Sequence, residues 1–310
     1  MNIAVLTKVA GKEHPNGLRV AKALRDLGHG VSCVEPWAAT KKKLAGRELV
    51  LATGNLISQE HRRPGTFRSV RAAMDSGAVL ALWYFDFCNP AMRNAPWKFQ
   101  VMEKLAGQFD FLAMTDHSYP WERRAKRFLH LLQGVDADEF MSRPEPPEPR
   151  DRDVIMTGGY DLGFEDRLAA VEAMRKAGAS VEIFGRNSKR KVHGQAFWDE
   201  HQKSRVVFVP RPPAEAQRWY WSNRIYLAAV TGTPCLVGYI EGLEKHFTDE
   251  RDVVFFDGRA EMLSRLAVLL EDPLKRVRIG RGGRWRVLID HTYKARVEEL
   301  MAAIFGKEPS

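Results

Sequence analysis

Residues 220–237, YWSNRIYLAAVTGTPCLV, put an arginine where a short helix should begin. Ser222 or Asn223 is a suitable N-cap, and Gly232 followed by Pro234 is a suitable stop. The first turn of a helix carries unpaired N–H groups and partial positive charge, so a cation is unwelcome there without an anion. A phosphate ahead of the helix would satisfy those N–H groups and pair with Arg224. Tyr220, Trp221 and Tyr226 would then be placed to stack on a base or a sugar. An arginine reaching solvent beside aromatics in a core fits the same pattern, and the pattern does not separate the two.

Other polar groups follow apolar runs in the same way. Glu241, Gly242 and Leu243 open EGLEKHF, where Gly242 permits close backbone approach. Glu241 and Glu244 are candidate acceptors for sugar or ribose hydroxyls, and a plain capping turn is the competing reading. Gly158 and Gly159 form a glycine turn in TGGYD. That turn has neither the dinucleotide fingerprint nor the Lys-Ser/Thr of a P-loop. Asp86, in WYFDFCN, is our first candidate for a general base on an acceptor hydroxyl. Asp116 and His117 in MTDHSYP, and His14 in EHPNG, occupy comparable positions; each is also read as a turn or cap residue.

The chain has 310 residues, with 45% hydrophobic residues and a net charge of +9. Its 3 cysteines, Cys33, Cys88 and Cys235, have no paired spacing, and its 9 histidines no ligand spacing, so no metal site is expected. No apolar run is long enough to cross a bilayer, and only a short one precedes Lys8. No signal peptide is therefore read, and a cytoplasmic location is expected. Basic residues cluster at 41–43, 61–71, 121–127, 185–191 and 275–286. A cluster by itself is a solvated face, but five in one basic chain point to a polyanion: nucleic acid or an acidic membrane surface.

The elements that would position these groups alternate throughout. NIAVLT, VSCVEP, ELVLAT, AVLALWYF and FDFLAMT read as buried strands between amphipathic stretches such as GLRVAKALRDLG. MSRPEPPEPRDR, with Pro144, Pro146, Pro147 and Pro149, reads as a linker. The pattern restarts at DVIMTGG and continues through SVEIFG, RVVFVP, TPCLVGY and DVVFFD. The expected fold is α/β, with two tandem Rossmann-like, doubly wound domains and a cleft between them. We expect domains at 1–142 and 153–291, a linker at 143–152, and a final helix within 292–310 that crosses back to the first domain.

Several of these stretches together, in order, resemble the nucleotide-binding domain of GT-B glycosyltransferases. They are DVIMTGGY, VEIFG, YWSNRIYLAAVTGTP, YIEGLEKHF, DVVFFDGRAEMLSRLAVLLEDPLKRVRIG and HTYKARVEEL. The nearest type is family 1/4, on the spore-maturation branch, over roughly residues 153–301. The resemblance implies transfer of a sugar from a nucleotide-diphosphate donor of the UDP type, with no tightly bound cofactor and no metal. Gly158, Gly159, Ser222, Asn223, Arg224, Tyr226, Glu241, Gly242 and Leu243 match the donor side. Arg224 would stabilise the leaving diphosphate, and with Asp86 and Glu241 it makes up the candidate catalytic set. Retaining members carry a pair of glutamates whose positions are Trp219 and Leu227 here, so no stereochemical outcome is implied.

The charge suggests the acceptor. A hydroxylated (hydroxymethyl-type) base in DNA, flipped out of its stack, would be held by phosphate contacts from Arg62, Arg63, Arg68, Arg71, Arg123 and Arg124. The alternatives are an envelope glycan or lipid-linked acceptor at an anionic membrane surface, and a binding protein without catalysis.

Overall fold

The computed structural model describes residues 1–9, 16–90, 95–147, 149–159, 165–185, 188, 190–212 and 219–306. The chain divides into two compact units, Met1–Asp136 with Tyr293–Ser310, and Ala137–Thr292.

The first unit runs β1 (Asn2–Leu6), α1 (Asn16–Asp26), β2 (Gly30–Val34), α2 (Lys41–Leu44), β3 (Leu49–Thr53), α3 (Gly54–Arg62), α4 (Thr66–Ala73), β4 (Val79–Tyr84), α5 (Pro96–Leu105), β5 (Phe111–Met114) and β6 (Phe128–His130). Its sheet is 6-stranded in the order β2-β1-β3-β4-β5-β6, and all neighbours are parallel. Both faces are buried. Ala4 and Leu6 of β1 join the cluster under α3, α4 and α5, while Ile3 and Val5 join the opposite cluster with Val20, Ala21 and Leu24 of α1. A strand covered on both faces has no polar side, which is why these runs show no alternation in sequence.

The second unit runs α6 (Ala137–Met141), β7 (Arg152–Thr157), α7 (Glu165–Lys176), β8 (Val181–Phe184), α8 (Gln195–Gln202), β9 (Ser204–Val209), α9 (Arg224–Ala229), β10 (Cys235–Gly238), β11 (Val254–Phe256), α10 (Arg259–Glu271) and α11 (Pro273–Asp290). Its sheet is 5-stranded, β11-β10-β9-β7-β8, also parallel. The chain then returns to the first unit as α12 (Tyr293–Phe305). Tyr293, Val297, Leu300 and Ile304 of α12 pack with α1, and Arg127 donates to the carbonyls of Ala303 and Ile304 at its carboxyl end. The expected pair of doubly wound sheets is therefore present. In each, strand order reverses beside the first strand, between β1 and β3 and between β7 and β9. Such reversals are where open α/β sheets bind ligands.

The basic run at 275–286 behaves differently from the expectation of a polyanion contact. Arg276 is buried and donates to the carbonyls of Leu269 and Leu270, capping α10. Arg284 is buried and donates to the carbonyls of Phe140, Arg143 and Pro144. Arg281 pairs with Glu145, and Arg286 with Asp252 and Asp290. These cations hold the second unit together because helix ends leave unpaired carbonyls that a guanidinium can satisfy. Among the described residues no helix is long and apolar enough to cross a membrane.

Candidate functional site

In the second unit, β7 ends at Thr157 and the chain turns through Gly158 at φ +131°, a conformation that excludes ordinary side chains. The Gly158 N–H donates to the Phe184 carbonyl at 2.7 Å, tying this turn to the end of β8. The Arg224 guanidinium lies directly over it: a Cβ on residue 158 would stand 2.8 Å from Arg224 Cζ and Nη2. Glycine is thus required twice here, for the backbone angle and for the arginine's approach.

Arg224 is the first residue of α9. Its backbone N–H donates to Ser222 Oγ at 3.2 Å, while Asn223, the N-cap residue, makes no side-chain cap bond. Among the described residues the Arg224 guanidinium has neither a hydrogen-bond partner nor an ion-pair partner. Burial draws its pKa below the ordinary arginine value, with Tyr220 opposing. Arg224 is half-buried, and a partly desolvated cation held against backbone without a counter-charge favours an anionic ligand. Thr157 Oγ1, one residue from Gly158, is also buried without a partner among the described residues.

Two arginines that sequence reasoning passed over belong to the same strand ends. Arg167, buried in the first turn of α7, donates from Nη1 to the Gly159 carbonyl at 2.9 Å and from Nη2 to the Arg211 carbonyl at 3.4 Å. Arg211 follows β9 and pairs with Asp257. The signal that pointed to Arg224, a cation in a helix's first turn, was equally present at Arg167.

Glu241, Gly242 and Leu243 form a second cluster. Glu241 is exposed and its carbonyl accepts from Trp219 N–H at 3.2 Å. Gly242, at φ +97°, packs under the Trp219 indole, where a Cβ would come within 2.5 Å of the ring. Lys245 Nζ lies 4.3 Å from the centroid of that ring. Trp219 itself holds φ 55°, rare for a residue with a side chain. Leu243 is fully buried. Glu244 accepts from the Gly242 N–H and the Tyr239 hydroxyl, so it shapes this turn. Tyr226 is also fully buried; its hydroxyl accepts from Trp221 Nε1 at 2.7 Å and its ring packs on His291 and Phe247. The core reading describes Tyr226, and Tyr220 and Trp221 are buried beside it in sequence.

In the first unit Asp86 is exposed just past β4 and pairs with Lys98 Nζ at 3.0 Å. Asp116 is buried past β5 and accepts from Cys88 N, Ser118 N and Ser118 Oγ. Burial pushes its carboxyl up to about 6, against the pull of those hydrogen bonds. His117 pairs with Glu122 at 3.4 Å. His14 lies outside the described residues.

The six arginines assigned to a polyanion divide. Arg71 makes a two-point pair with Asp110, at 2.6 and 2.9 Å, which links α4 to the turn before β5. Arg124 pairs with Glu103 at 3.4 Å. In both, an acid from another segment reaches the guanidinium. Arg62, Arg63, Arg68 and Arg123 are exposed and form no ion pair among the described residues. All six lie on elements covering the same sheet face. Among the described residues no cluster of His, Cys, Asp and Glu could hold a metal ion.

A comparison with curated proteins gave no match to the chain. Solved structures share its fold. Alpha-glucosyltransferase in complex with UDP is 10% identical, covers 98% of this chain and 99% of its own, and superposes with a TM-score of 0.72. Alpha-glucosyltransferase with UDP and a 13-mer DNA containing a central A:G mismatch is 10% identical, with 98% and 99% coverage and a TM-score of 0.67. Sucrose-phosphate synthase from Thermosynechococcus elongatus is 13% identical, with 98% and 99% coverage and a TM-score of 0.64. The model of a glycosyl transferase-like family matches residues 167–302, the stretch holding Arg167, Arg211, Arg224 and the Glu241 turn. The chain has the GT-B fold, and residues 167–302 are similar to the glycosyl transferase-like family.

Proposed function

We propose that the protein is a glycosyltransferase using a nucleoside-diphosphate sugar of the UDP type. The observation that carries this is the unpaired Arg224 guanidinium sunk against the Gly158 turn, inside the region that matches the glycosyl transferase-like family. The diphosphate meets Arg224, with Gly158, Gly159, Ser222 and Asn223 around it and Glu241 and Gly242 toward the sugar. As the acceptor oxygen attacks the anomeric carbon, the bond to the diphosphate breaks and negative charge grows on the leaving oxygen. A preset guanidinium stabilises that charge without a metal. Asp86 receives the acceptor's proton. Tyr226 and Leu243 act from the core, holding α9 and the Glu241 turn in place.

The acceptor in this reading is a hydroxylated (hydroxymethyl-type) base in DNA. The unpaired Arg62, Arg63, Arg68 and Arg123 support it, as do structurally similar glucosyltransferases solved with UDP or UDP-glucose together with DNA. A donor screen read by sugar-nucleotide hydrolysis in the presence of chelator tests the first part, since it needs no acceptor. Turnover with a UDP-sugar that is lost in Arg224→Ala is expected; full turnover in that variant would remove Arg224 from the mechanism. Transfer to lipid-linked or glycan acceptors, and none to hydroxymethylated DNA, would overturn the acceptor.

A further inference from the structure

The first unit carries a ring stack on its surface. His61, in the last turn of α3, lies on Trp97, the second residue of α5, with centroids 4.3 Å apart and planes 17° from parallel. His61 is exposed, and Trp97 packs inward against the core under α3 to α5. One face of the imidazole is therefore covered by indole and the other is open. Arg62 and Arg63 follow immediately.

The charge around this stack is one-sided for a structural reason. The acids on the same sheet face are already engaged. Glu60 accepts from Gly65 N and Phe67 N, Glu103 pairs with Arg124, and Asp110 with Arg71 and Lys126. Arg62, Arg63, Arg68 and Arg123 remain exposed without an acid among the described residues. Unopposed guanidinium groups on the same sheet face as an exposed aromatic ring, two of them next to it in sequence, offer two kinds of contact, to phosphate and to a planar ring. Anionic lipid would use only the charge. Single-stranded or unstacked nucleic acid uses both.

We infer that the open face of His61, backed by Trp97 and flanked by Arg62 and Arg63, is a stacking platform for an unpaired base of nucleic acid. This rests on the DNA reading above and adds to it. Taking one base out of a duplex leaves its partner unstacked, and a preformed aromatic pair recovers part of that loss. Backing by Trp97 holds the imidazole in its plane, so little ordering remains to be done when a base arrives.

Binding is measured by fluorescence anisotropy with the full chain, on a perfect duplex and on the same duplex carrying one unpaired base, at several salt concentrations. The expected result is about a tenfold preference for the unpaired base. His61→Ala and Trp97→Leu should abolish the preference and keep the salt dependence, while Trp97→Phe should retain most of it. Arg62→Ala with Arg63→Ala should flatten the salt slope by about two and leave the preference in place. Circular dichroism melts check that Trp97→Leu is folded, and His61→Ala, a surface change, supplies the same test independently. If both ring variants keep the preference, the platform is refuted while the DNA reading stands. If the wild type binds neither DNA at low salt, or binds only vesicles of phosphatidylserine and phosphatidylcholine, both are refuted.

Discussion

Replacing Gly158 by alanine tests the donor site at its narrowest point. Two separable costs are expected. The first is backbone strain, because φ +131° is hostile to any side chain; such strain is worth roughly 1–3 kcal/mol. The second is displacement of Arg224, whose Cζ and Nη2 would stand 2.8 Å and Nη1 3.1 Å from the new Cβ. Carbon contacts relax to roughly 3.5–4.0 Å, so the guanidinium must move by about 1 Å. A hydrogen bond to a charged group contributes roughly 1.5–3 kcal/mol, and a displacement of that size forfeits most of it. UDP binding should weaken by about 10- to 100-fold. Gly178→Ala is the control, since Gly178 also has positive φ, +93°, yet nothing lies within 4 Å of its Cβ position. It carries the strain without the collision. Isothermal titration with UDP on wild type and both variants, beside thermal melts, separates the costs. Both variants should melt earlier, and only Gly158→Ala should lose nucleotide affinity. Equal UDP affinity in the two variants would refute the claim that the Arg224 guanidinium over Gly158 is the diphosphate site.

Three further outcomes are expected. Asp86→Asn should lower kcat by about 10²- to 10⁴-fold with unchanged UDP affinity; a rate within twofold of wild type would remove Asp86 as the base. Tyr226→Phe leaves buried Trp221 Nε1 without its acceptor and should destabilise by about 1–3 kcal/mol in urea melts. Its UDP affinity should be unchanged, whereas a nucleotide defect without a stability loss would return Tyr226 to the ligand. The hydrogen bonds to Asp110 from Arg71, Leu80 N and Lys126 outweigh its partial burial and hold its carboxyl at about 2. A depressed folded pKa stabilises above the unfolded value near 4, and that stability drains as pH falls from about 4 to 2. After discounting for solvent screening of these partly exposed groups, Asp110→Asn should cost about 1 kcal/mol at neutral pH and much less near pH 2; a constant cost across this range would show that the ion pair contributes nothing.

Much of the fold is legible because burial leaves a direct mark on sequence. Strands covered on both faces, such as Leu49–Thr53 with every residue buried, can only be continuous apolar runs. The stop after Ala229 and the restart at Cys235 are legible for similar reasons, since Gly232 and Pro234 act on the local backbone. Arg224 was legible as an anomaly because helix polarity is a local property.

What sequence could not separate was the fate of residues with the same local pattern. Arg62 and Arg71 belong to one basic run, yet only Arg71 meets Asp110, which arrives from the strand beyond. Arg281, Arg284 and Arg286 looked like a surface charge run and are engaged with Glu145, with the carbonyls that end α6, and with Asp252. Tyr226 had the spacing of a stacking residue and is buried against His291 and Phe247. Arg167 showed the same local signal as Arg224, but its partners, at the ends of β7 and β9, meet its guanidinium only in the fold. By itself the sequence determined which segments are buried, where helices start and stop, and that Arg224 stands at the positive end of a helix, all consequences of forces acting within a few residues. Only the tertiary structure decided which charges are neutralised and which remain open, because ion pairing and burial depend on segments far apart along the chain meeting in space.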